Sequence, residues 1–272
     1  MDDPLRWSAD DQERALAAIA PWYDLDFGGL DADIVLYREL ASVGSRVLEL
    51  GAGSGRVAVP LADHGCRVTA VEMSPAMLHV GCERMTHAGV QVVQTDMRCP
   101  ALDDSQPYDL AMFALSTFQH LLRREDQLAA LHAVAARLAP DGMLALDLTA
   151  PRPDDVDPAP QPLRLEWTRH APDGTIVTKL ATQELALERT SGDAVDRASP
   201  IAWLTYQYDA TAPDGLVRRS LARFPLRVSL GAGEIYGLLR EAGLQPHTWF
   251  GSWDLDPVGE GDRLIVLAGH AS

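Results

Sequence analysis

Lysine is almost missing from this chain: Lys179 is the single example among 23 basic residues, and every other base is an arginine. Those bases face 39 acids, and the formal charge of −16 repels phosphate backbones, so nucleic acid is not an expected partner. Cysteine is scarce as well. Cys66, Cys82 and Cys99 are odd in number, widely spaced and without a CxxC pair, which argues against a disulfide frame or a zinc knuckle. Reduced thiols in a cytoplasm are the expectation. No apolar run approaches the roughly 20 residues that a bilayer crossing needs. The opening MDDPLRWSAD is acidic where a signal peptide is basic and then apolar. What the chain does have is 47% hydrophobic residues over 272 positions, enough for a real core and too many for wholesale disorder.

Ser8-Ala9-Asp10-Asp11 forms a capping-box pattern ahead of an Ala-rich helix that is expected to end at Pro21. A second helix is expected after Asp31, closed by Gly44. From Arg46 onward short apolar strands alternate with amphipathic helices. Val47–Leu50, Val68–Val71, Val92-Val93, Leu110–Phe113 and Met143–Leu146 read as strands. The helices between them include one opened by Ser74-Pro75, a cap followed by proline at the first helical position. Another is rich in Leu and Ala and is expected to end at Pro140-Asp141-Gly142. Such alternation implies parallel βαβ units in a doubly wound sheet. The prolines between Pro151 and Pro162 break that rhythm. Four strand-like stretches follow, Leu163–Arg169, Thr175–Glu188, Ile201–Tyr208 and Leu216–Val228, with Pro-Asp-Gly turns at 172–174 and 213–215. They imply an antiparallel sheet inserted after the fifth strand. The expected division is a helical cap at 1–44, a core at 45–150, the insert at 151–228, and a final helix with the last two core strands at 229–272.

Glu49-Leu50-Gly51-Ala52-Gly53-Ser54-Gly55-Arg56 is the strongest motif. Glycines at a strand-to-helix turn let the backbone approach a ligand, and the helix behind offers unpaired N–H groups. The dinucleotide fingerprint is GxGxxG, but here the third glycine comes one residue early and Arg56 fills its place. Glu49 beside the turn would repel a pyrophosphate and suit an ammonium group. Glu72 closes the second strand about 20 residues after the first glycine, where an acid binds ribose hydroxyls. Thr95-Asp96-Met97-Arg98 follows the third strand, an acid with an apolar neighbour suited to an adenine. Three acids at the ends of successive strands point to one ligand site.

ELGAGSGR, Glu72 with Ser74-Pro75-Ala76-Met77, TDMR, and Tyr108–Phe113 with Thr117-Phe118-Gln119-His120 behind it together resemble class I S-adenosylmethionine-dependent methyltransferases. The likeness spans about residues 20–150 and 230–268. It implies a Rossmann-like α/β fold: a doubly wound, seven-stranded, mostly parallel sheet whose last strand is antiparallel. The insert and the acid-Met-Arg segment make the chain similar to small-molecule N-methyltransferases, such as those acting on deoxyamino sugars. Carried over, the resemblance implies that Gly51, Ala52, Gly53 and Gly55 line the methionine part of the cofactor, with Arg56 closing the turn. It implies Glu49 for the amino group, Glu72 for the ribose, and Met73 with Met77 beside the adenine. Asp96 and Met97 would contact the same ring, and the Ala114 backbone the methionine moiety.

Two residues are candidates for catalysis. His120 follows the fourth strand at the ligand-binding edge, as a base or as a packing residue. Tyr23 lies in an N-terminal segment that would fold over the cofactor, or merely anchors a helix end. Asp24 and Asp26 lack a third ligand at metal-binding spacing, so no metal is expected. Arg219, Arg223 and Arg227 would share one strand face, as a charged edge or as a seat for an anionic acceptor such as a nucleotide-linked sugar. Trp167, Trp203, Tyr206 and Tyr208 would be core or an aromatic pocket. The expected activity is methyl transfer by in-line displacement to a nitrogen or oxygen of a small metabolite, with neither nucleic acid nor membrane as partner and a homodimer as one assembly. The alternatives are transfer of another group from the same cofactor, or a cofactor-binding partner protein without chemistry.

Overall fold

Apolar residues in short β-prone runs, each followed by a capped helix, lay out a wound sheet, and the computed structural model follows that order. It describes residues 3–102, 106–152, 155, 157, 159–186 and 200–271. Helix α1 spans Ala9–Phe27 and α2 Ala32–Leu40. The Ser8 hydroxyl accepts from the Asp11 N–H while the Asp11 carboxylate accepts from the Ser8 N–H, a complete capping box. Contrary to the sequence expectation, α1 does not stop at Pro21 but carries it internally. Proline removes one helical hydrogen bond, and the turns beyond it are tied to neighbours on both sides through Asp24 and Asp26. Helix α2 ends at Leu40, before Gly44, which instead turns the chain into the first strand with φ 88°.

The alternating elements are β1 (Arg46–Leu50), α3 (Ala58–Asp63), β2 (Arg67–Glu72), α4 (Pro75–His87), β3 (Gln91–Gln94), β4 (Tyr108–Phe113), α5 (Arg124–Ala135) and β5 (Leu138–Thr149). Pro140-Asp141-Gly142 was expected to end α5, yet it lies inside β5. It is taken up as an irregularity in the ladder, where Tyr108 faces Leu138 but Leu110 faces Met143. After the excursion come β6 (Arg164–His170), β7 (Ile176–Leu185), β8 (Ile201–Thr211) and β9 (Val217–Arg227). Residues 187 and 188 of the second stretch, and Pro153 and Pro158, lie outside the described residues. Helix α6 (Ala232–Glu241), β10 (Leu244–Phe250) and β11 (Arg263–His270) complete the chain.

One sheet has seven strands in the order β10-β11-β5-β4-β1-β2-β3, and the last strand in sequence, β11, runs antiparallel to both its neighbours. The fold is therefore the Rossmann-like one expected. Helices α5 and α6 bury Leu131, Ile235 and Leu238 against one face, and α2 and α3 bury Tyr37 and Leu61 against the other. Each such buried side chain contributes roughly 1.5–3 kcal/mol. The second sheet is four-stranded and antiparallel, in the order β6-β7-β8-β9. Its inner face packs Val177, Tyr208, Ala222 and Phe224 against Ala15 and Ile19 of α1. Helix α1 thus packs between the second sheet and α4. Among the described residues no helix is long and apolar enough to cross a membrane.

Candidate active site

The C-terminal ends of β1, β2 and β4, the inner surface of α1 and the inner face of β8–β9 enclose one cavity of about 430 Å³. Open α/β sheets bind ligands at this edge. The glycine turn after β1 forms its floor. Gly51 and Gly55 sit at φ 72° and 79°, a region that favours glycine. A Cβ at Gly51 would come within 2.3 Å of Thr117 Cγ2, and one at Gly55 within 2.4 Å of Met85 Cγ. The turn is pinned to β2: the Gly51 and Ala52 N–H groups donate to the Val71 carbonyl, and the Gly53 N–H donates to Glu72 Oε2 at 2.8 Å. The other Glu72 oxygen accepts from the Ser74 N–H at 2.7 Å. Burial raises the Glu72 carboxyl above its ordinary value, and these backbone donors pull it back. Gly51, Gly53, Glu72, Met73 and Met77 line the cavity.

Glu49 stands at the foot of the turn behind the cavity lining, 2% exposed, with Oε2 lacking any hydrogen-bond partner. Burial pushes its carboxyl up to about 8; Arg56 opposes that shift, and Asp33 and Glu72 add to it. A backbone hydrogen bond from Ala58 reaches the carboxyl, but a buried carboxyl oxygen left without a donor is costly. Arg56 does not face the cavity. Its guanidinium is paired with Asp33, 0% exposed, and donates to the Leu30 carbonyl at 2.9 Å. Tyr23 does line the cavity. Its phenol is pushed up to about 12, mainly by burial, so it stays a neutral hydroxyl.

Asp96 is held by Arg98 through both carboxylate oxygens, and Arg98 also pairs with Asp126 at 2.8 Å. It lines a smaller adjoining cavity of about 100 Å³, which shares Met73, Met97 and His120 with the main one. Ala52, Gly55 and Ala114 stand behind the lining, and the Ala114 carbonyl accepts from the Thr117 N–H. Leu115 and Ser116 adopt φ of 46° and 68°, which for non-glycine residues costs of order 1–3 kcal/mol each and is kept only where the surroundings impose it. Here the Leu115 N–H donates to Asp147 at 3.0 Å and Ser116 Oγ bonds Thr149 Oγ1 at 2.8 Å. Asp147, fully buried, also binds Arg263 at 2.6 Å, Trp253 Nε1 at 3.1 Å and the Tyr37 hydroxyl at 3.3 Å. Sequence reasoning missed this network. Its signal was an acid inside the apolar run Met143-Leu144-Ala145-Leu146-Asp147-Leu148.

His120 ends a single 3-10 turn, Thr117–His120, and faces both cavities with its ring 5.7 Å from that of Phe224. Burial pushes its pKa down to about 4, so the imidazole is neutral at ordinary pH. Across from it, α1 is fastened on two sides. Asp24 accepts from Arg84 at 2.7 Å and from Ser54 at 2.8 Å, tying the helix to α4 and the glycine turn. Asp26 accepts from Lys179 Nζ at 2.5 Å and Trp167 Nε1 at 2.7 Å, tying it to the second sheet. Both acids are thus engaged by protein donors. Leu204, Tyr206, Phe224 and Leu226 of β8 and β9 make the wall opposite the glycine turn.

Residues 47–142, from β1 to the bulge in β5, match the family model described as "Methyltransferase domain". This segment is similar to that domain. The chain is 32% identical over 123 residues to the cypemycin N-terminal methyltransferase of a Streptomyces species, covering 45% of this chain and 49% of that protein. It is 30% identical over 141 residues to the ubiquinone biosynthesis O-methyltransferase of Xanthomonas campestris pv. campestris (strain B100), covering 52% and 54%. The chain therefore spans about half the length of the curated relatives it matches. The fold is similar over 92% of this chain and 96% of the other to the SAM-bound amino pentose methyltransferase CalS10 of Micromonospora echinaspora, with TM-score 0.68 and 20% identity. The glycine turn, Glu72, Asp96 and His120 all fall within the matched segment. Tyr23 on α1, Arg263 on β11 and the aromatic wall come from outside it.

Proposed function

We propose that this protein is a methyltransferase that takes the methyl group of S-adenosylmethionine and delivers it by in-line displacement to a nitrogen, ahead of oxygen, of a small metabolite. The observation that carries the reading is the buried Glu49 carboxyl at the foot of the glycine turn, whose Oε2 has no hydrogen-bond partner. A dinucleotide would place pyrophosphate beside that acid; an adenosyl amino acid places an ammonium there, which supplies the missing donor. The residues fit the cofactor. Gly51, Ala52, Gly53 and Gly55 give it close backbone approach, and Glu72, already aimed by the Gly53 and Ser74 N–H groups, has lone pairs left for the ribose hydroxyls. Met73, Met77 and Met97 pack the adenine, Asp96 reaches it from the adjoining cavity, and the Ala114 backbone borders the methionine part. Arg56 serves indirectly, by holding Asp33 and standing over Tyr23.

When bound, the cofactor supplies an electrophilic methyl on a sulfonium. The protein's work is alignment and exclusion of water, worth several kcal/mol in such reactions. Tyr23 and His120, both neutral, orient the acceptor between α1 and the 3-10 turn. His120 accepts a hydrogen bond from the acceptor N–H and so aims the amine lone pair, and the proton released after transfer passes to solvent with the product. A base with pKa about 4 is weak, which suits an amine already neutral on attack better than a phenol that must be deprotonated. The insert forms the lid and acceptor wall. The test is calorimetry with S-adenosylhomocysteine followed by a metabolite screen for a mass gain of one methyl group. Binding with a methylated product supports the reading; binding without any product favours a non-catalytic partner protein.

A further inference from the structure

We infer that the acceptor carries its amine on an apolar or aromatic body and bears no phosphate. This deepens the methyltransferase reading and rests on it. Residues alternate across a strand, and β9 puts Phe224 and Leu226 into the cavity, continued by Val228 after the strand ends. Arg219, Arg223 and Arg227 occupy the alternate positions and do not line it. Each is already engaged. Arg219 binds Asp209 at 2.6 Å, Arg223 binds Glu184 at 2.6 Å and lies 4.1 Å over the Trp203 ring, and Arg227 donates to the Leu122 carbonyl at 2.7 Å. The three arginines that seemed to offer an anion seat belong to the other face.

Among the described residues two cations remain on the lining, Arg152 and Arg263. Arg263 is 5% exposed and closed off by Asp147. Arg152 sits at the mouth, 3.9 Å from Asp262, with its backbone N–H held by the Asp155 carboxylate. Two acids flank that one guanidinium, and Asp155 itself lines the cavity, so these three groups together carry a negative charge. A phosphate entering it would meet repulsion; an ammonium would be drawn in.

Hydrogen-bonding supply points the same way. Gln119, the amide nearest His120 in sequence, spends its nitrogen on the Arg227 carbonyl at 3.0 Å and its oxygen on the Thr149 N–H at 2.9 Å. The wall of Leu204, Tyr206, Phe224, Leu226 and Val228 bears one side-chain hydroxyl, that of Tyr206, with Gln183 and Ser229 adding polar side chains beside it. Hydroxyls buried without partners are costly. A cavity of about 430 Å³ sits low in the range of ligand pockets, and it must hold cofactor and acceptor together. A compact aryl- or cycloalkyl-amine meets every one of these conditions.

The experiment begins with S-adenosylhomocysteine titrated by calorimetry into the full chain; absence of binding would overturn the methyltransferase reading and this inference with it. Methyl transfer from S-adenosylmethionine is then measured to a panel of arylethyl- and cyclohexylethyl-amines and to thymidine diphosphate-linked 4-amino-4,6-dideoxyglucose, with thymidine diphosphate as a competitor. The expected result is a methylated amine from the panel, no product from the nucleotide sugar and no inhibition by thymidine diphosphate. In Phe224→Ala and the milder Leu226→Ala, KM for that amine rises about tenfold, the loss of one apolar contact, with S-adenosylhomocysteine affinity unchanged. Arg219→Ala leaves both unchanged. If the cofactor analogue binds but the nucleotide sugar is the methylated compound, or no amine of the panel reacts, or thymidine diphosphate inhibits through Arg219, the inference is overturned while the methyltransferase reading stands.

Discussion

On the sheet side of the cavity the chain presents backbone amides and carboxylates among methionines; on the insert side rings and aliphatic side chains dominate, with Gln183 and Ser229 beside them. The first side comes from three consecutive strand ends within about 50 residues, fixed by hydrogen bonds such as Gly53 N–H to Glu72. The second comes from α1 and from strands about 180 residues further along the chain, fixed by packing of Phe224 and Tyr208 on Ile19. Polar groups that must point one way are set by local backbone geometry, so their motif is compact. A wall that must exclude water needs only apolar volume on the right face, which many sequences supply. The same cavity thus combines one side specified by residue type and spacing with another specified by alternation.

Substitutions divide along that line. Glu72→Ala removes two backbone-accepting oxygens from the glycine turn and the expected ribose contacts. Cofactor affinity is expected to fall by roughly 2–4 kcal/mol, from charge-assisted hydrogen bonds, measured by calorimetry with S-adenosylhomocysteine; an unchanged affinity would remove Glu72 from the ribose. His120→Ala, where the two sides meet, is expected to lower turnover about 100-fold with cofactor affinity intact. In the unsubstituted protein, acid loss of kcat/KM through His120 should set in near pH 4, far below an ordinary imidazole. An acid limb near 6.5 that vanishes in His120→Ala would contradict the buried, neutral ring.

A smaller effect concerns Glu49 alone. Its carboxyl stays protonated in the folded chain up to about pH 8, while the unfolded chain ionises from about 4.5. Between those values the unfolded state binds fewer protons, so stability falls as pH rises through the window. The melting temperature of the ligand-free protein should therefore drop between pH 5 and 8, and Glu49→Gln should flatten that slope. A slope identical in the two proteins would mean that Glu49 is ionised throughout.

Much of this was legible in the sequence, and the reasons differ by region. The strand-helix rhythm from Arg46 and the Gly51–Gly55 turn depend on local propensity and backbone sterics, which residue types encode directly. Pro21 and Pro140 misled because tertiary ties outweigh a local breaker: α1 is held through Asp24 and Asp26, and β5 absorbs its proline in a bulge. The arginines of β9 were placed on one face, but which face meets the cavity depends on how the second sheet docks on α1. The Asp147–Arg263 network joins residues 116 positions apart, and no periodicity links them. Arg56 was assigned from its place in the motif, whereas its partner Asp33 comes from α2.

A crystal structure with S-adenosylhomocysteine probes the central idea most directly. The account predicts ribose hydroxyls on Glu72, the amino group beside Glu49 and the sulfur turned toward the space bordered by Tyr23, His120 and Tyr206. Finding that space empty, or the diphosphate of a nicotinamide nucleotide lying on the Gly51–Gly55 turn, would contradict it.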